Sequence, residues 1–301
     1  MKLSFYRQIL IGQNNKIRIL HLISERITKI PEGGDMKYKF VELEIKDYVA
    51  EVRLARLGAL NALSLEFASE IADVFQKLGT TDEVRAIILT SKARIFCAGL
   101  DLKEAGGHFT GTAKGAIESV ERSQPLFDCC NAIEDCPKPV IAAVHSRCIG
   151  GGLDIISACD IRLCTQDASF CLKEAAIGLV ADMGVLQRLP HIIGEGFTRQ
   201  MAYTAAEYPA SDAEKMGLVN AVYKDKNALA EGAKKIAAEI AQNAPLGVRA
   251  SKEVLNYSRY VNVKDGMAMA IQKNMVLMGS EDIKEAVTAF IEKRPPNFKG
   301  Q

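Results

Sequence analysis

No apolar run in this chain reaches the roughly 18 residues that would carry a helix across a bilayer, so no membrane-spanning helix is expected. Charge of one sign is also missing. Lys and Arg number 38 against 37 Asp and Glu, a formal +1 that offers no bulk field for nucleic acid and no acidic solvating tail. The eight cysteines, at 97, 129, 130, 136, 148, 159, 164 and 171, include no CxxC pair, and the histidines at 21, 108, 145 and 191 are too scattered for ligands one helical turn apart. Metal chemistry is therefore set aside. The apolar core of a secretory signal is absent, so the cysteines read as reduced, buried thiols. Neither GxxxxGK[ST] nor GxGxxG occurs, which removes the common phosphate loops, and no short repeat supports a solenoid. The ending Phe298-Lys299-Gly300-Gln301 lacks an SKL-like tripeptide and with it the usual peroxisomal address.

What remains is a folded chain of 301 residues, 48% hydrophobic and 25% charged, long enough for one large domain or two. Residues 1–35 stand apart. Up to Ser24 they carry Lys2, Arg7, Lys16 and Arg18 with no acidic residue, then close in Pro31-Glu32-Gly33-Gly34-Asp35. A mitochondrial presequence, a disordered extension and a misassigned start before Met36 all fit this segment; the basic bias favours the first and a mitochondrial location over a peroxisomal or cytoplasmic one.

From Tyr38 the apolar period is two, through Val41, Leu43 and Ile45, then Val49, Val52 and Leu54, which reads as a hairpin turning at Lys46-Asp47. Ser64 opens a helical run that buries Phe67, Ile71, Val74, Phe75 and Leu78 and ends at Gly79. Strand, loop and helix recur: a buried strand at 86–90, a polar Gly-rich loop over 104–115, a helix over 116–134 halted by Pro137-Lys138-Pro139, a buried strand at 140–144 and a short strand at 161–163. After Gly194 the pattern is helical almost to the end. The fold class is α/β, with a mixed core over 36–195 followed by a helical region over 196–301.

The densest feature is Cys148-Ile149-Gly150-Gly151-Gly152-Leu153-Asp154, between the strand at 140–144 and an apolar helix. Three glycines there let backbone approach a ligand and leave free N–H groups at the positive end of a helix, a site for an oxyanion. The plainer reading is tight packing, with Asp154 capping that helix. A second loop, Phe96-Cys97-Ala98-Gly99-Leu100-Asp101-Leu102, follows the strand at 86–90 in the same manner, and two such loops can aim two donors at one oxygen. Farther on, Glu174 and Asp182 lie in stretches rich in Ala, Ile, Leu and Val, where a carboxylate is costly unless paired or functional. A salt bridge from Lys173 or Arg188 is the structural alternative. Clustered in an apolar pocket, such carboxylates have raised, coupled pKa values suited to proton transfer near neutral pH.

On Phe96-Cys97-Ala98-Gly99-Leu100-Asp101, the strand entry Pro137-Lys138-Pro139-Val140-Ile141-Ala142, the Gly150-Gly151-Gly152 triplet and Cys159-Asp160-Ile161-Arg162, residues 38–299 resemble the crotonase, or enoyl-CoA hydratase/isomerase, superfamily. The resemblance implies a crotonase-like ββα spiral core with a helical C-terminal oligomerisation region that builds a homo-trimer or hexamer. It implies a fatty acyl-CoA thioester as substrate, with its oxygen held by the N–H groups of Leu100 and Gly151. Contacts to that substrate are implied for Ala98, Gly99, Asp101, Leu102, Lys103 and Gly150, the coenzyme A nucleotide lying against the first Gly loop and a basic edge. Phe290, Lys293 and Phe298 resemble a family tail that reaches a neighbouring subunit's ligand. Coenzyme A belongs to the substrate, and no separate cofactor is implied.

The carboxylates separate the members. A typical hydratase has Glu where this chain has Asp154, Glu at Glu174 and Gly at Asp182. The Asp, Glu, Asp set is similar to the dienoyl-CoA isomerase subgroup, which converts 3,5-dienoyl-CoA to 2,4-dienoyl-CoA in the β-oxidation of unsaturated fatty acids. The match includes Ala181-Asp182-Met183-Gly184 followed by Leu186-Gln187-Arg188-Leu189-Pro190. The roles implied are Glu174 at the carbon alpha to the thioester, Asp182 at the distal carbon and Asp154 in support. A 2-enoyl-CoA hydratase or a 3-to-2 enoyl-CoA isomerase is the alternative within the superfamily. A non-catalytic acyl-CoA binder or an RNA-binding protein on the same fold is the alternative outside enzymology, disfavoured by the three carboxylates and by the absence of a dense basic cluster.

Overall fold

The computed structural model describes residues 37–105 and 112–301; the N-terminal segment 1–35 and most of the Gly-rich loop expected over 104–115 lie outside the described residues. Strands β1 (Val41–Lys46) and β2 (Val49–Leu54) form the expected antiparallel hairpin. Its turn is Asp47-Tyr48, one residue later than the sequence suggested, with both φ positive at 50° and 64° as a two-residue turn matched to strand twist requires.

The main sheet has six strands in the order β1-β2-β3-β4-β6-β9, with β3 (Ala86–Ser91), β4 (Val140–Val144), β6 (Ile161–Thr165) and β9 (Ala221–Tyr223) all parallel to β2. β4 reads as an unbroken apolar run because both of its faces are covered. Val140, Ala142 and Val144 enter the larger core, whereas Ile141 and Ala143 meet Leu229, Ala233 and Ala237 on the opposite side. Those three belong to helix Lys226–Ala241. Sheet pairing thus continues past residue 195, because β9 and this covering helix both lie in the stretch that reads as purely helical. A second, three-stranded sheet joins β5 (Arg147–Ile149), β7 (Ser169–Cys171) and β8 (Glu207–Pro209).

The helices are α1 (Leu65–Thr80), α2 (Leu102–Ala105), α3 (Ala113–Asp135), α4 (Gly151–Ser157), α5 (Val185–Thr204), α6 (Ala210–Lys215), α7 (Lys226–Ala241), α8 (Pro245–Ser258), α9 (Val263–Leu277) and α10 (Glu281–Glu292). Ser64 caps α1 by accepting from Phe67 N–H, as the sequence indicates. Gly79 lies inside that helix rather than ending it. A Cβ there would stand 3.1 Å from Pro137 Cδ, so the glycine lets α1 pack on the entry to β4. α5 begins at Val185, well before the helix expected near 196, and its break at Gly194 (φ 76°, ψ 163°) is what the sequence shows as a start. Among the described residues no helix is long and apolar enough to cross a membrane.

The motif Cys159-Asp160-Ile161-Arg162 is a structural tie. Asp160 Oδ2 accepts from Val140 N–H at 2.7 Å and from Lys252 Nζ at 2.7 Å, joining β4 to α8, and buried Arg162 donates to the carbonyls of Leu218 and Cys159.

Candidate active site

The two Gly loops leave the ends of adjacent parallel strands β3 and β4 and are stitched together. Phe96 and Cys97 N–H both donate to Arg147 O, Ile149 N–H donates to Cys97 O, and Leu63 N–H donates to Gly99 O. Gly99 (φ 90°) must be glycine, since a Cβ would approach Ile149 O at 3.0 Å. The stitching leaves Leu100 N–H and Gly151 N–H without an acceptor among the described residues, and both residues line a cavity of about 420 Å³. Gly151 stands in the first turn of α4, whose aligned peptide dipoles put partial positive charge at that end. Two free amides on one cavity wall are the donor pair an oxyanion needs.

The same cavity is lined by Asp154, Glu174 and Asp182, contributed by α4, by the 3₁₀ turn Glu174–Ile177 after β7, and by the loop before α5. Around them the wall is apolar, with Leu63, Leu126, Phe127, Ile177 and Met183. Among the described residues none of the three carboxylates is in a salt bridge. Arg188, the cation weighed as a partner, instead pairs with Glu134 at 2.7 Å, and Lys173 lines the cavity without forming an ion pair.

Asp154 is 1% exposed and does not cap its own helix, whose N-cap is Gly150. Its Oδ1 accepts from Val185 N–H at 2.9 Å, the first amide of α5, where the N-cap Gly184 has no side chain to offer. Burial pushes the Asp154 carboxyl up to about 7; the Val185 N–H opposes that rise, and the charges of Glu174 and Asp182 add to it. Glu174 is raised mainly by burial and then by Asp182, and its buried Oε2 has no hydrogen-bond partner among the described residues. Such an oxygen is free to take a proton from a guest. Asp182 is more exposed than the sequence suggested, at the cavity rim, yet partial burial still raises it. The Glu174 side chain lies against the triplet, since a Cβ on Gly150 (φ 49°) would sit 2.7 Å from Glu174 Oε1. Gly150 N–H donates to Cys171 O, so the second sheet sets the distance between Glu174 and the oxyanion donors.

This cavity, with two free amides and unpaired carboxylates, coincides with a match over residues 44–301 to the family model for enoyl-CoA hydratase/isomerase. The chain belongs to the enoyl-CoA hydratase/isomerase family. It is 39% identical over 270 residues, 87% of this chain and 97% of the other, to the peroxisomal Delta(3,5)-Delta(2,4)-dienoyl-CoA isomerase of Arabidopsis thaliana. To the mitochondrial enzyme of the same name from Dictyostelium discoideum it is 36% identical over 272 residues, 87% of this chain and 92% of the other. In three dimensions it is similar to an enoyl-CoA hydratase from Bacillus anthracis, with TM-score 0.81 and 31% identity over 87% of this chain and 100% of the other. The mixed α/β core with its helical C-terminal region is the crotonase fold.

The structure places most of the other residues singled out from the sequence along this cavity. Ala98, Gly99, Asp101, Leu102 and Gly150 line the cavity. Asp101 is already committed: Arg56 Nη1 donates to its Oδ2 at 2.8 Å, Lys103 N–H donates to its Oδ1, and Arg56 holds its carboxyl below the usual range. The Lys103 side chain is exposed on α2 and is not part of the lining. The helix that follows the Gly-rich loop, expected from the sequence to shape an acyl pocket without its size being readable, contributes a long wall as α3. Ala116, Ser119, Val120, Ser123 and Phe127 repeat at helical spacing along that wall, but small and hydroxylated residues give a weak apolar signal.

Proposed function

We propose that this enzyme isomerises 3,5-dienoyl-CoA thioesters to 2,4-dienoyl-CoA thioesters. The carrying observation is that one cavity holds three unpaired carboxylates with raised pKa values beside two acceptor-free amides. Glu174 removes a proton from the carbon alpha to the thioester. Negative charge passes to the thioester oxygen, which accepts from Leu100 and Gly151 N–H, and spreads along the conjugated dienolate. Asp182, protonated beforehand, gives its proton to the distal carbon, so each double bond moves one carbon toward the thioester. Glu174 ends protonated and Asp182 ionised, and one proton exchange with solvent or between the two resets the site. Neither electrons nor water are gained or lost, so the reaction balances without a separate cofactor. Asp154 supports this pair by holding the start of α5 and by staying neutral over part of the physiological range.

The test is a spectrophotometric assay on a 3,5-dienoyl-CoA, with rising absorbance of the conjugated 2,4-dienoyl thioester expected. No rise, together with water addition to a 2-enoyl-CoA, would overturn the reading in favour of the hydratase, which the similarity to the Bacillus anthracis enzyme makes the second candidate. Hydration needs two carboxylates on one water, and Asp154, bonded to Val185 N–H and one methylene shorter than Glu, is poorly placed to be one of them. The acyl chain is proposed to lie along α3, with the coenzyme A nucleotide outside the Leu102–Lys103 edge. A homo-trimer or hexamer and a mitochondrial location complete the reading. Relatives named mitochondrial and peroxisomal both occur, and a fluorescent fusion of the full chain separates the two.

A further inference from the structure

Arg188 is buried, and its guanidinium is fully divided among three directions. Nε donates to Glu134 Oε2 at 2.9 Å, Nη2 to Asn131 Oδ1 at 3.1 Å and Nη1 to the Met183 carbonyl at 3.0 Å. The first two acceptors belong to α3, which walls the cavity. The third is the backbone immediately after Asp182. Gly184, next in sequence, has φ 105°, and a Cβ there would fall 2.1 Å from Arg188 Nη1, so the loop is folded directly onto the guanidinium. A planar fork with fixed donor directions can hold a carbonyl in one place in a way that a single ammonium cannot.

Glu134 is held in turn from the other side. Arg259 Nη1 donates to its Oε1 at 2.6 Å, and Asn256 Nδ2 donates to its carbonyl at 3.3 Å. Asn256 and Arg259 stand at the end of α8, beside the exposed apolar residues Leu255, Tyr260 and Val263. An unbroken chain of charge-assisted bonds therefore runs from the C-terminal helices through Arg259, Glu134 and Arg188 to the Asp182 loop.

We propose that Arg188 is the positioning residue that fixes Asp182 against the cavity, and that Glu134 passes this constraint on from Arg259 at the end of α8. The inference rests on the reading of Asp182 as the distal proton donor. Arg188 touches no substrate in this scheme; it acts by setting where the Asp182 carboxyl sits, and a displacement of about 1 Å in such a group costs on the order of 100-fold in rate.

The test uses the full chain, as wild type and as Glu134→Gln, Arg259→Gln and Arg188→Lys. Three quantities are read: amide hydrogen exchange over residues 179–187, turnover of a 3,5-dienoyl-CoA, and deuterium uptake at its alpha carbon, which needs Glu174 and the two amides but not Asp182. All three variants are expected to exchange faster at residues 180–184 and to lose about 10- to 100-fold in isomerisation kcat. KM and alpha-carbon uptake are expected to stay within about threefold of wild type. Glu134→Gln keeps every heavy atom in place, so it carries the test even where Arg188→Lys fails to fold. Unchanged exchange at 180–184 overturns the proposal, and so does loss of isomerisation and alpha-carbon uptake in equal measure. A wild type that takes up deuterium without isomerising refutes the role of Asp182, while the exchange measurement still decides whether Arg188 and Glu134 order its loop.

Discussion

Each of the three carboxylates is set by its own surroundings, and each makes a separate expectation. Glu174→Gln and Asp182→Asn are both expected to lower isomerisation kcat by about 10²- to 10⁴-fold, the usual contribution of a positioned acid or base, with acyl-CoA binding measured by calorimetry largely kept. Only Glu174→Gln also stops deuterium uptake at the alpha carbon, and loss of uptake in both variants would merge the two roles. Asp154 gives a stability prediction. Its carboxyl rises to about 7 in the fold from near 4 when unfolded. The native state therefore binds the extra proton, and stability falls as pH rises from about 4 through about 7. Asp154→Asn keeps an acceptor for Val185 N–H and removes the ionisation, so its stability relative to wild type should improve between pH 5 and pH 8 by about 1 to 3 kcal/mol. Denaturant melts at several pH values check this; a flat difference would place the Asp154 carboxyl elsewhere in pH. These residues were legible in the sequence because chemistry marks them: acids in apolar stretches and glycines at strand ends. Arg188, Glu134 and Arg259 were not, since their pairing spans 54 and 125 residues of chain and leaves no local pattern. Asn61 is of the same kind. Buried at φ 55°, it donates to Ser91 Oγ and Phe96 O and braces the first Gly loop.

At the scale of the element, long segments were readable and three-residue strands were not. β4 shows itself as five apolar residues and α1 as a capped amphipathic run. β5, β7, β8 and β9 are each three residues long, too short for a period of two to register, yet they fix Gly150 and close the sheet. The first half of α5 was hidden by Pro190 and Gly194, and α3 continues through an internal Pro125. The turn at the triplet supplies the expectation for this scale. Gly150→Ala meets both a left-handed backbone and the Glu174 carboxylate, whereas Gly217→Ala meets a similar φ of 79° with Ile192 O no nearer than 3.6 Å. Both should cost about 1 to 3 kcal/mol in stability. Only Gly150→Ala should also lower kcat, by at least about 10-fold through displaced Glu174. Equal effects on turnover from the two substitutions would show that Gly150 serves the backbone alone.

For the whole molecule, the notable surface is that of the C-terminal helices. Along α9, Val263, Met267, Ile271 and Met275 are spaced every four residues and exposed, and Val276, Met278 and Phe290 are exposed as well, Phe290 at 85%. An exposed apolar stripe of this kind is where the proposed contact between copies of the chain would fall. The tail beside it is pinned, since Asp282 accepts from Lys299 and Gly300 N–H and Arg85 donates to the Phe298 carbonyl. Light scattering is expected to report three or six chains for the wild type, and the double substitution Val263→Asp with Met275→Asp should reduce the mass to that of one. A monomeric wild type would refute the assembly. The helical character of this region could be read in the sequence, whereas its exposed stripe could not: an apolar face looks the same whether its own chain or a second copy covers it.

All eight cysteines are buried as free thiols, and burial raises the pKa of Cys97 and Cys159 to about 12. A thiol reagent offered to the intact fold therefore has almost nothing to attack, because it needs a thiolate and a path. Each label acquired over time becomes a timestamp for the opening of one locality: Cys171 for the small sheet, Cys129 and Cys130 for the helix that walls the cavity, Cys97 and Cys148 for the stitched loops. Resolved by peptide mass, eight modification rates would give a clock of local unfolding for a chain that has no tryptophan to report it.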